Sequence, residues 1–257
     1  MKSPLKWHGG KSYLAKKILT NLPPHIRYCE PYFGGGSVLF AKDPEGHSEA
    51  VNDIYSDLMN FWEVLRSNGD EFIRLASLVP LSDAGHNFPD TEIGNALAFF
   101  VWYRQSRQAL GKDYVTPTKR IRRGMNEQVS QWLSAVYGLP EAAERLRRVE
   151  IRSMDALTFI ENYDNPDTLF YCDPPYLEET RVSKKCYEHE MSEQDHVALL
   201  RSLSQLDGKF ILSAYPSELY NSAVSRYEWT VEEIQIDNKA SSQKIKPVKT
   251  ELLIRNY

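Results

Sequence analysis

A short apolar segment near the start of this chain runs into a glycine-rich turn and then into a helix. The pattern predicts a strand over Arg27–Glu30 and a helix over residues 36–41, with Gly34, Gly35 and Gly36 between them. Such a turn lets the backbone approach a ligand closely and puts that ligand at a helix N-terminus. The turn reads neither G-x-G-x-x-G nor G-x-x-x-x-G-K-[ST], which disfavours a dinucleotide or P-loop site. The alternative is a turn without a ligand.

Strands and helices are predicted to alternate at both ends of the chain, which indicates an α/β sheet. The predicted strands are 27–30, 50–51, 149–152, 168–172, 209–213, 229–236 and 251–255. The predicted helices are 13–22, 36–41, 56–67, 95–110, 127–136, 141–148 and 192–206. The last of them is predicted to begin with Ser192 as N-cap and Asp195 three residues on. Residues 66–148 read as helical, basic and strandless, so we expect them to form an insertion between two halves of the α/β body, 1–65 and 149–257.

Composition excludes several classes of protein. Hydrophobic residues make up 42% and charged residues 26%, as in folded globular proteins rather than disordered chains. No apolar run approaches the ~20 residues of a membrane span, and the N-terminus lacks the apolar core of a secretion signal. The three cysteines, Cys29, Cys172 and Cys186, match neither a disulfide framework nor a paired zinc motif. We therefore expect a cytoplasmic protein without a metal.

Charge is distributed unevenly along the chain. The net charge is −4, but residues 104–124 hold seven basic residues against one acidic residue, a net charge of +6. The rest of the chain is therefore at −10. A basic segment on an acidic body is typical of a surface that contacts phosphates. The alternative is a solvated helix face.

Two further motifs follow predicted strands. Asn52 and Asp53 end the second strand, and Asp53 lies 17 residues after Gly36, close to the spacing at which an acid binds a ribose in Rossmann-like sites. The alternative for Asp53 is a helix N-cap. The loop of residues 171–176, Tyr-Cys-Asp-Pro-Pro-Tyr, follows a buried strand, where open α/β sheets carry their sites. Its prolines remove two donors, so carbonyl and carboxylate acceptors beside an aromatic ring favour a planar group with an NH2.

Together these motifs resemble the DNA adenine-N6 methyltransferases of the Dam type (D12 class). Asp-Pro-Pro-Tyr at 173–176 resembles their catalytic signature, and Lys-Trp-His-Gly-Gly-Lys at 6–11 resembles their N-terminal motif. Glu-Pro-Tyr-Phe-Gly-Gly-Gly-Ser at 30–37 resembles their glycine turn, with Tyr32 in place of the usual Phe. Asn52-Asp53 and the C-terminal residues 250–257 match their next motif and their closing strand. The middle, 104–125, looks more like the compact adenine methylases of phages and prophages.

The resemblance implies a Rossmann-like sheet with a reversed last strand that binds S-adenosylmethionine. It assigns to the cofactor site Trp7, Gly9, Gly10, Lys11, Glu30, Phe33, Gly34, Gly35, Gly36, Asn52, Asp53, Asp155 and Asp173. Asp53 is expected to accept the ribose hydroxyls, and Glu30 to lie near the methionine amino group. Asp155 is expected beside the adenine of the cofactor, although Ala156 stands where the family often has Phe.

The resemblance also implies the chemistry. The catalytic residues are then Asp173, Pro174, Pro175 and Tyr176. The target adenine must leave the duplex, at a cost of a few kcal/mol. Tyr176 would stack on the flipped base, while the Asp173 carboxylate and the Pro174 carbonyl accept the two N6 hydrogens. The nitrogen lone pair then points at the methyl group, and no covalent enzyme intermediate is needed.

The basic segment is predicted to contact double-stranded DNA, with residues 66–148 as the target-recognition region. The DNA-binding candidates are Arg104, Gln105, Arg107, Gln108, Lys112, Lys119, Arg120, Arg122 and Arg123. The glutamines Gln105 and Gln108 would read adenine edges, and Arg104 or Arg107 would read guanine. We expect Trp102 and Tyr103 to belong to the core of the insertion, and the protein to be a monomer or a weak dimer.

Other functions remain open at this point. The same signature occurs in enzymes that methylate adenine in ribosomal RNA, although a shape-reading RNA enzyme would not need a basic insertion. Cytosine-N4 methylation is chemically close, because that base also offers an exocyclic NH2. A catalytically silent DNA-binding module is the alternative of a different class, which the intact motifs disfavour. Cys186, His189 and His196 form a loose group that we do not expect to bind metal.

Overall fold

The structure, a computed structural model, describes residues 1–82, 86–109, 111, 113–115, 118–181, 188–237 and 248–257. These residues form two compact units, each built from more than one stretch of the chain. Unit 1 comprises Met1–Asn21, Phe33–Glu45 and Glu49–Ser153, and unit 2 comprises Leu22–Tyr32, Gly46–Ser48 and Met154–Tyr257. Both contain strands and helices, which confirms the predicted α/β class.

Most predicted elements are present. The strands are β1 Arg27–Glu30, β2 Ser48–Asn52, β3 Ile121–Arg122, β4 Met125–Asn126, β5 Val149–Arg152, β6 Thr168–Cys172, β7 Lys209–Ala214, β8 Thr230–Asp237 and β9 Val248–Arg255. The helices are α1 Ala15–Leu19, α2 Ser37–Ala41, α3 Ser56–Ser67, α4 Gly69–Leu78, α5 Glu92–Gln105, α6 Glu127–Tyr137, α7 Leu139–Leu146, α8 Ala156–Tyr163, α9 Glu193–Leu203 and α10 Glu218–Tyr227. The predicted bounds of β1, α3, β5 and β6 are confirmed residue for residue.

Unit 1 packs its helices through aromatic side chains. Phe61 and Trp62 of α3 are fully buried, and the ring of Phe61 stacks on Phe100 of α5 at 5.5 Å. Strand β2 pairs in parallel with β5, so Asn52 and Arg152 are neighbours at their ends. The helix predicted over 95–110 begins three residues earlier, because Thr91 caps its start by accepting the N–H of Gly94. It ends at Gln105.

The insertion is not strandless, so that prediction is wrong. Strands β3 and β4 form an antiparallel hairpin, with Ile121 opposite Asn126. Arg123 and Gly124 make its turn, and both have positive φ, as two-residue hairpin turns of type I′ require. Strands of two residues are too short for an alternating apolar pattern to reveal them.

The predicted insertion lies in unit 1. Residues 66–148 fall within unit 1 together with the N-terminal motif and the glycine turn. The predicted boundaries at 65/66 and 148/149 stay a prediction. Trp102 is half exposed, so its predicted place in the core is wrong, whereas Tyr103 packs against Trp7.

Unit 2 contains five strands in the order β1-β6-β7-β9-β8. Strands β1, β6 and β7 are parallel, whereas β9 runs antiparallel to β7, with Leu212 opposite Ile254. The reversed last strand is therefore confirmed. Helix α9 begins with the predicted cap, in which Ser192 and Asp195 bond reciprocally to each other's backbone N–H. Within the described part of the chain, no helix combines the length and apolar character that a membrane span needs.

Candidate active site

The glycine turn in unit 1 is bonded to the end of β2. The Asp53 carboxylate accepts the backbone N–H of Gly34 at 2.9 Å through Oδ2 and that of Tyr55 at 3.1 Å through Oδ1. The N–H of Phe33 donates to the carbonyl of Asn52 at 2.8 Å. The two features that the sequence placed about one βα unit apart thus form one hydrogen-bonded structure.

The turn needs glycine because Trp7 lies against it. A Cβ atom at Gly34 would lie 2.7 Å from Nε1 of Trp7, and one at Gly35 would lie 2.6 Å from its Cβ. Gly34 also has a positive φ of 48°, which L side chains rarely adopt. The Trp7 ring also stacks on Tyr103 of α5, with ring centroids 5.0 Å apart. Trp7 therefore connects the N-terminal motif to both the glycine turn and α5.

The other residues of the N-terminal motif include a buried lysine and a glycine that lies close to the start of α2. Lys11 is buried, and its ammonium donates to the carbonyl of Gly9 at 3.1 Å. A Cβ atom at Gly10 would lie 3.4 Å from Oγ of Ser37, the first residue of α2. Unit 1 therefore brings together the predicted cofactor residues at 7–11, 33–36 and 52–53.

The catalytic loop follows β6 in unit 2. Asp173 comes directly after the buried Cys172, and its side chain is half-buried. Tyr176 is 6% exposed, and its hydroxyl donates to Oε1 of Glu251 in β9 at 2.5 Å. Burial, reinforced by the Asp173 and Glu251 carboxylates, raises the pKa of Tyr176, so the hydroxyl stays protonated. The ring of Tyr176 meets Tyr215 edge to face at 4.5 Å.

Several carboxylates and tyrosines of unit 2 interact with one another near this loop. Glu30, at the end of β1, is buried and accepts the hydroxyl of Tyr28 at 2.8 Å. Burial raises the pKa of Tyr171, and the charges of Asp173, Glu30 and Glu251 raise it further. Unit 2 therefore brings the predicted residues Glu30 and Asp173 into one electrostatic group. Sequence reasoning missed the third member, Glu251, although a carboxylate directly before the apolar run Leu252–Ile254 was a signal.

The thiol of Cys172 is not available as a nucleophile. Burial is the largest cause that raises its pKa, and the neighbouring Cys29 and Asp173 add to it. The thiol is therefore protonated at neutral pH, and the thiolate is the reactive form. Cys186 lies outside the described residues.

Asp155 takes the structural role of an N-cap at α8. Its Oδ1 accepts the N–H groups of Leu157 at 2.9 Å and Thr158 at 3.1 Å. Its predicted contact with the cofactor adenine stays a prediction.

The start of the basic segment is partly built into unit 1. The half-buried Arg104 donates to the carbonyl of Gln131 at 2.9 Å, and burial lowers its pKa to about 10. Burial, with the charge of Arg104, also lowers the pKa of Lys6, which the sequence analysis did not select. Gln105 is buried, and its amide accepts the Ser82 N–H and donates to the carbonyl of Pro80. In this conformation the amide that was predicted to read adenine bonds to the chain itself.

The end of the segment is exposed. Lys119, Arg120, Arg122 and Arg123 all lie on the surface around the hairpin, and Arg107 is exposed ahead of it. Between these cations the side chain of Ile121 is 72% exposed. Lys112 and the side chain of Gln108 lie outside the described part of the chain. Among the described residues, no group of three or more His, Cys, Asp or Glu side chains is arranged to hold a metal ion.

A family model described as D12 class N6 adenine-specific DNA methyltransferase matches residues 7–87 and 134–238. The chain belongs to this family. The D12-class enzymes are adenine-specific DNA methyltransferases, so this chain belongs to a family of enzymes. The matched ranges include residues 7–11 of the N-terminal motif, the glycine turn, Asp53 and the Asp-Pro-Pro-Tyr loop, whereas the exposed hairpin lies between them.

The relatives include proteins of an archaeon, of bacteria and of a phage. The Type II methyltransferase M.MjaIII of Methanocaldococcus jannaschii is 25% identical, over 79% of this chain and 79% of its own length. The DNA adenine methylase of Serratia marcescens is 28% identical, over 67% of this chain and 66% of its own length. The Type II methyltransferase M1.LlaDCHI of Lactococcus lactis is 23% identical, over 98% of this chain and 94% of its own length. The DNA N-6-adenine-methyltransferase of Escherichia phage P1 is 37% identical over only 29% of this chain and 10% of its own length.

A precorrin-6y C5,15-methyltransferase from Geobacter metallireducens covers 95% of this chain and 86% of its own, with a TM-score of 0.40 and 9% identity. This similarity is too low to inform the site.

Proposed function

We propose that this chain transfers a methyl group from S-adenosylmethionine to N6 of an adenine flipped out of double-stranded DNA. The observation that carries the proposal is the Asp-Pro-Pro-Tyr loop after β6, with Tyr176 fixed by Glu251, in a D12-class chain. The relatives named DNA adenine methylase support DNA as the substrate class.

The residues of the glycine turn fit a nucleoside-type cofactor. The backbone at Gly34 and Gly35 leaves no room for a Cβ atom, and the Asp53 carboxylate is oriented by two backbone N–H groups. We assign cofactor binding to these residues together with Trp7 and Lys11. The remaining candidates are Gly9, Gly10, Glu30, Phe33, Gly36, Asn52, Asp155 and Asp173. When bound, the cofactor supplies an electrophilic methyl group on a sulfonium.

The loop at 173–176 supplies acceptors for the adenine amine. Pro174 and Pro175 have no backbone N–H, so the loop presents the Asp173 carboxylate and the Pro174 carbonyl to the two N6 hydrogens. Holding both hydrogens orients the nitrogen lone pair for attack on the methyl carbon and stabilises the positive charge that develops on nitrogen as the N–C bond forms and the S–C bond breaks. One of the two N6 hydrogens is then released as a proton, which leaves N6-methyladenine. The Tyr176 ring is the surface on which we expect the base to stack. Because the Cys172 thiol is protonated, we derive no covalent intermediate.

The exposed hairpin is the surface that we assign to the DNA backbone. Lys119, Arg120, Arg122 and Arg123 would neutralise phosphates, which gives affinity and salt dependence but little sequence information. The exposed Arg107 and the half-buried Lys6 and Arg104 add further positive charge to unit 1. Base reading by Arg104, Arg107, Gln105 or Gln108 and any contact of Lys112 remain predictions, as do a monomer or weak dimer and a cytoplasmic location.

The proposal is tested by methyl transfer to defined nucleic acids. Purified protein is incubated with S-adenosylmethionine carrying a labelled methyl group and with unmethylated plasmid DNA, and the product is mapped by long-read sequencing. We expect label at N6 of adenine in a fixed sequence context. Label in ribosomal RNA alone, or at cytosine N4, would overturn the proposal, and DNA binding without any transfer would favour a silent binding module.

The role of Asp173 is tested with a matched carboxylate at the other end of the same strand. Asp173→Ala is expected to abolish transfer while most of the DNA affinity remains. Asp167→Ala, at the exposed residue directly before β6, is expected to keep wild-type transfer. Full activity in Asp173→Ala would contradict the mechanism.

A further inference from the structure

A carboxylate is fully buried in the last strand of unit 2. Glu251 is 0% exposed, and the three residues that follow it in β9, Leu252, Leu253 and Ile254, form part of the core. Burying a carboxylate is costly unless it is bonded and paired, and an apolar residue of similar volume would avoid that cost. We therefore infer the role of Glu251 from the residue that it contacts.

Glu251 contacts the hydroxyl of Tyr176. The donor and acceptor oxygens are 2.5 Å apart, and the hydroxyl is the donor because Tyr176 stays protonated. A hydrogen bond from a hydroxyl to a carboxylate is shorter and stronger than one between neutral groups. The far end of the Tyr176 side chain is therefore tied to β9.

The ring of Tyr176 is held from a second direction. Tyr215, which follows β7, meets the ring edge to face at 4.5 Å, and the ammonium of Lys249 lies 4.8 Å from the centre of the Tyr215 ring. Lys249 and Glu251 are two residues apart in β9, so both side chains lie on the same face of the strand. One face of the reversed strand thus fixes both tyrosines.

We propose that Glu251 is a positioning residue that fixes the plane of the Tyr176 ring, on which the flipped adenine is received. The inference rests on the proposed function, because it gives the ring its substrate. A ring free to change its tilt would still admit the base but would hold its amine in a less productive orientation, so the loss falls on kcat.

Three variants separate positioning from folding. Glu251→Leu removes the acceptor and fills the volume, and we expect kcat to fall about 10- to 100-fold, as for the loss of a hydrogen bond to a charged group. KM for S-adenosylmethionine is expected to stay unchanged. Glu251→Gln keeps an acceptor oxygen and is expected to recover most of the lost kcat. Tyr176→Phe removes only the hydroxyl and is expected to lose about as much as Glu251→Leu.

The double variant tests whether the two residues act through one bond. If Glu251 acts through the Tyr176 hydroxyl, Tyr176→Phe combined with Glu251→Leu loses no more kcat than either change alone. Glu49 of unit 1 provides the control, since it is also a buried carboxylate, paired with Arg145. Glu49→Gln combined with Tyr176→Phe is expected to give independent effects.

A spectroscopic measurement reports base placement directly. A duplex with 2-aminopurine at the mapped target adenine is expected to brighten on binding the wild type. Glu251→Leu is expected to change that fluorescence at unchanged DNA affinity. Wild-type kcat in Glu251→Leu or in Tyr176→Phe, or losses that multiply in the double variant, would overturn the inference. If Glu251→Leu does not fold, Tyr176→Phe still decides. If the wild type itself transfers no methyl group, the proposed function fails instead.

Discussion

The Asp53 carboxylate accepts the backbone N–H of Gly34 at 2.9 Å, although the two residues are 19 positions apart in the chain. This bond joins the end of β2 to the glycine turn, and the second oxygen of the carboxylate binds the N–H of Tyr55 at the start of α3. The orientation of Asp53 is therefore set by the backbone of both segments. A change at Asp53 is expected to disturb the turn as well as any ribose contact.

Asp53→Asn is expected to weaken S-adenosylmethionine binding about 10- to 100-fold, because hydrogen bonds to a charged acceptor contribute roughly 1.5–3 kcal/mol. Asparagine has a single side-chain oxygen, so its NH2 would face one of the two backbone donors. Isothermal titration calorimetry measures the change. Asp43→Asn is the control, since Asp43 also accepts a backbone N–H but is exposed outside the motifs. Equal affinity in wild type and Asp53→Asn would remove Asp53 from the cofactor site.

Gly34→Ala is expected to destabilise the protein by about 2–4 kcal/mol, from backbone strain and from collision with Trp7. Gly46 separates the two causes. It has a positive φ of 78°, but a Cβ atom there meets nothing within 4 Å. Gly46→Ala is therefore expected to lose only about 1 kcal/mol. Urea unfolding measures both, and equal losses would show that contact with Trp7 does not constrain the turn.

Replacing Lys119, Arg120, Arg122 and Arg123 together by Gln is expected to weaken binding to all DNA sequences and to flatten its salt dependence. Each lost phosphate contact lowers the slope of log K against log salt by about 0.9, so four contacts give ~3.6. Fluorescence anisotropy at several salt concentrations measures the slope. The control replaces four exposed basic residues outside the segment, Lys16, Lys17, Arg201 and Arg226. Equal slopes in the two variants would show that the hairpin does not touch phosphates.

The sequence was sufficient wherever a local pattern determines structure. The strand before Asp173 and the Ser192–Asp195 cap were predicted correctly, because burial and capping are encoded in neighbouring residues. The β3–β4 hairpin was missed because its strands are two residues long. The bond between Tyr176 and Glu251 was missed for a different reason. It joins residues 75 positions apart. Tyr176 lies in the loop after β6 and Glu251 lies in β9, and β7 brings these two strands near each other by pairing with both.

His196 is expected to make stability depend on pH. It is fully buried in α9, its Nδ1 lies 2.8 Å from the hydroxyl of Tyr220, and no described residue is bonded to its Nε2. Burial is the main cause that lowers its pKa from 6.5 to about 4; Arg181 adds to this, and Asp195 opposes it. In the unfolded chain His196 is therefore protonated as the pH falls below 6.5, whereas in the folded protein it stays neutral until about pH 4.

The stabilisation due to neutral His196 is consequently complete above pH 6.5 and is lost as the pH falls from 6.5 towards about 4. The loss amounts to at most about 1.4 kcal/mol per pH unit. His196→Gln cannot titrate but can still accept the Tyr220 hydroxyl, so its free energy of unfolding is expected to fall less steeply over this range. Urea unfolding at a series of pH values measures the slopes. The exposed His189 serves as the control, and His189→Gln is expected to keep the wild-type slope. A wild-type slope in His196→Gln would mean that the histidine titrates alike in both states.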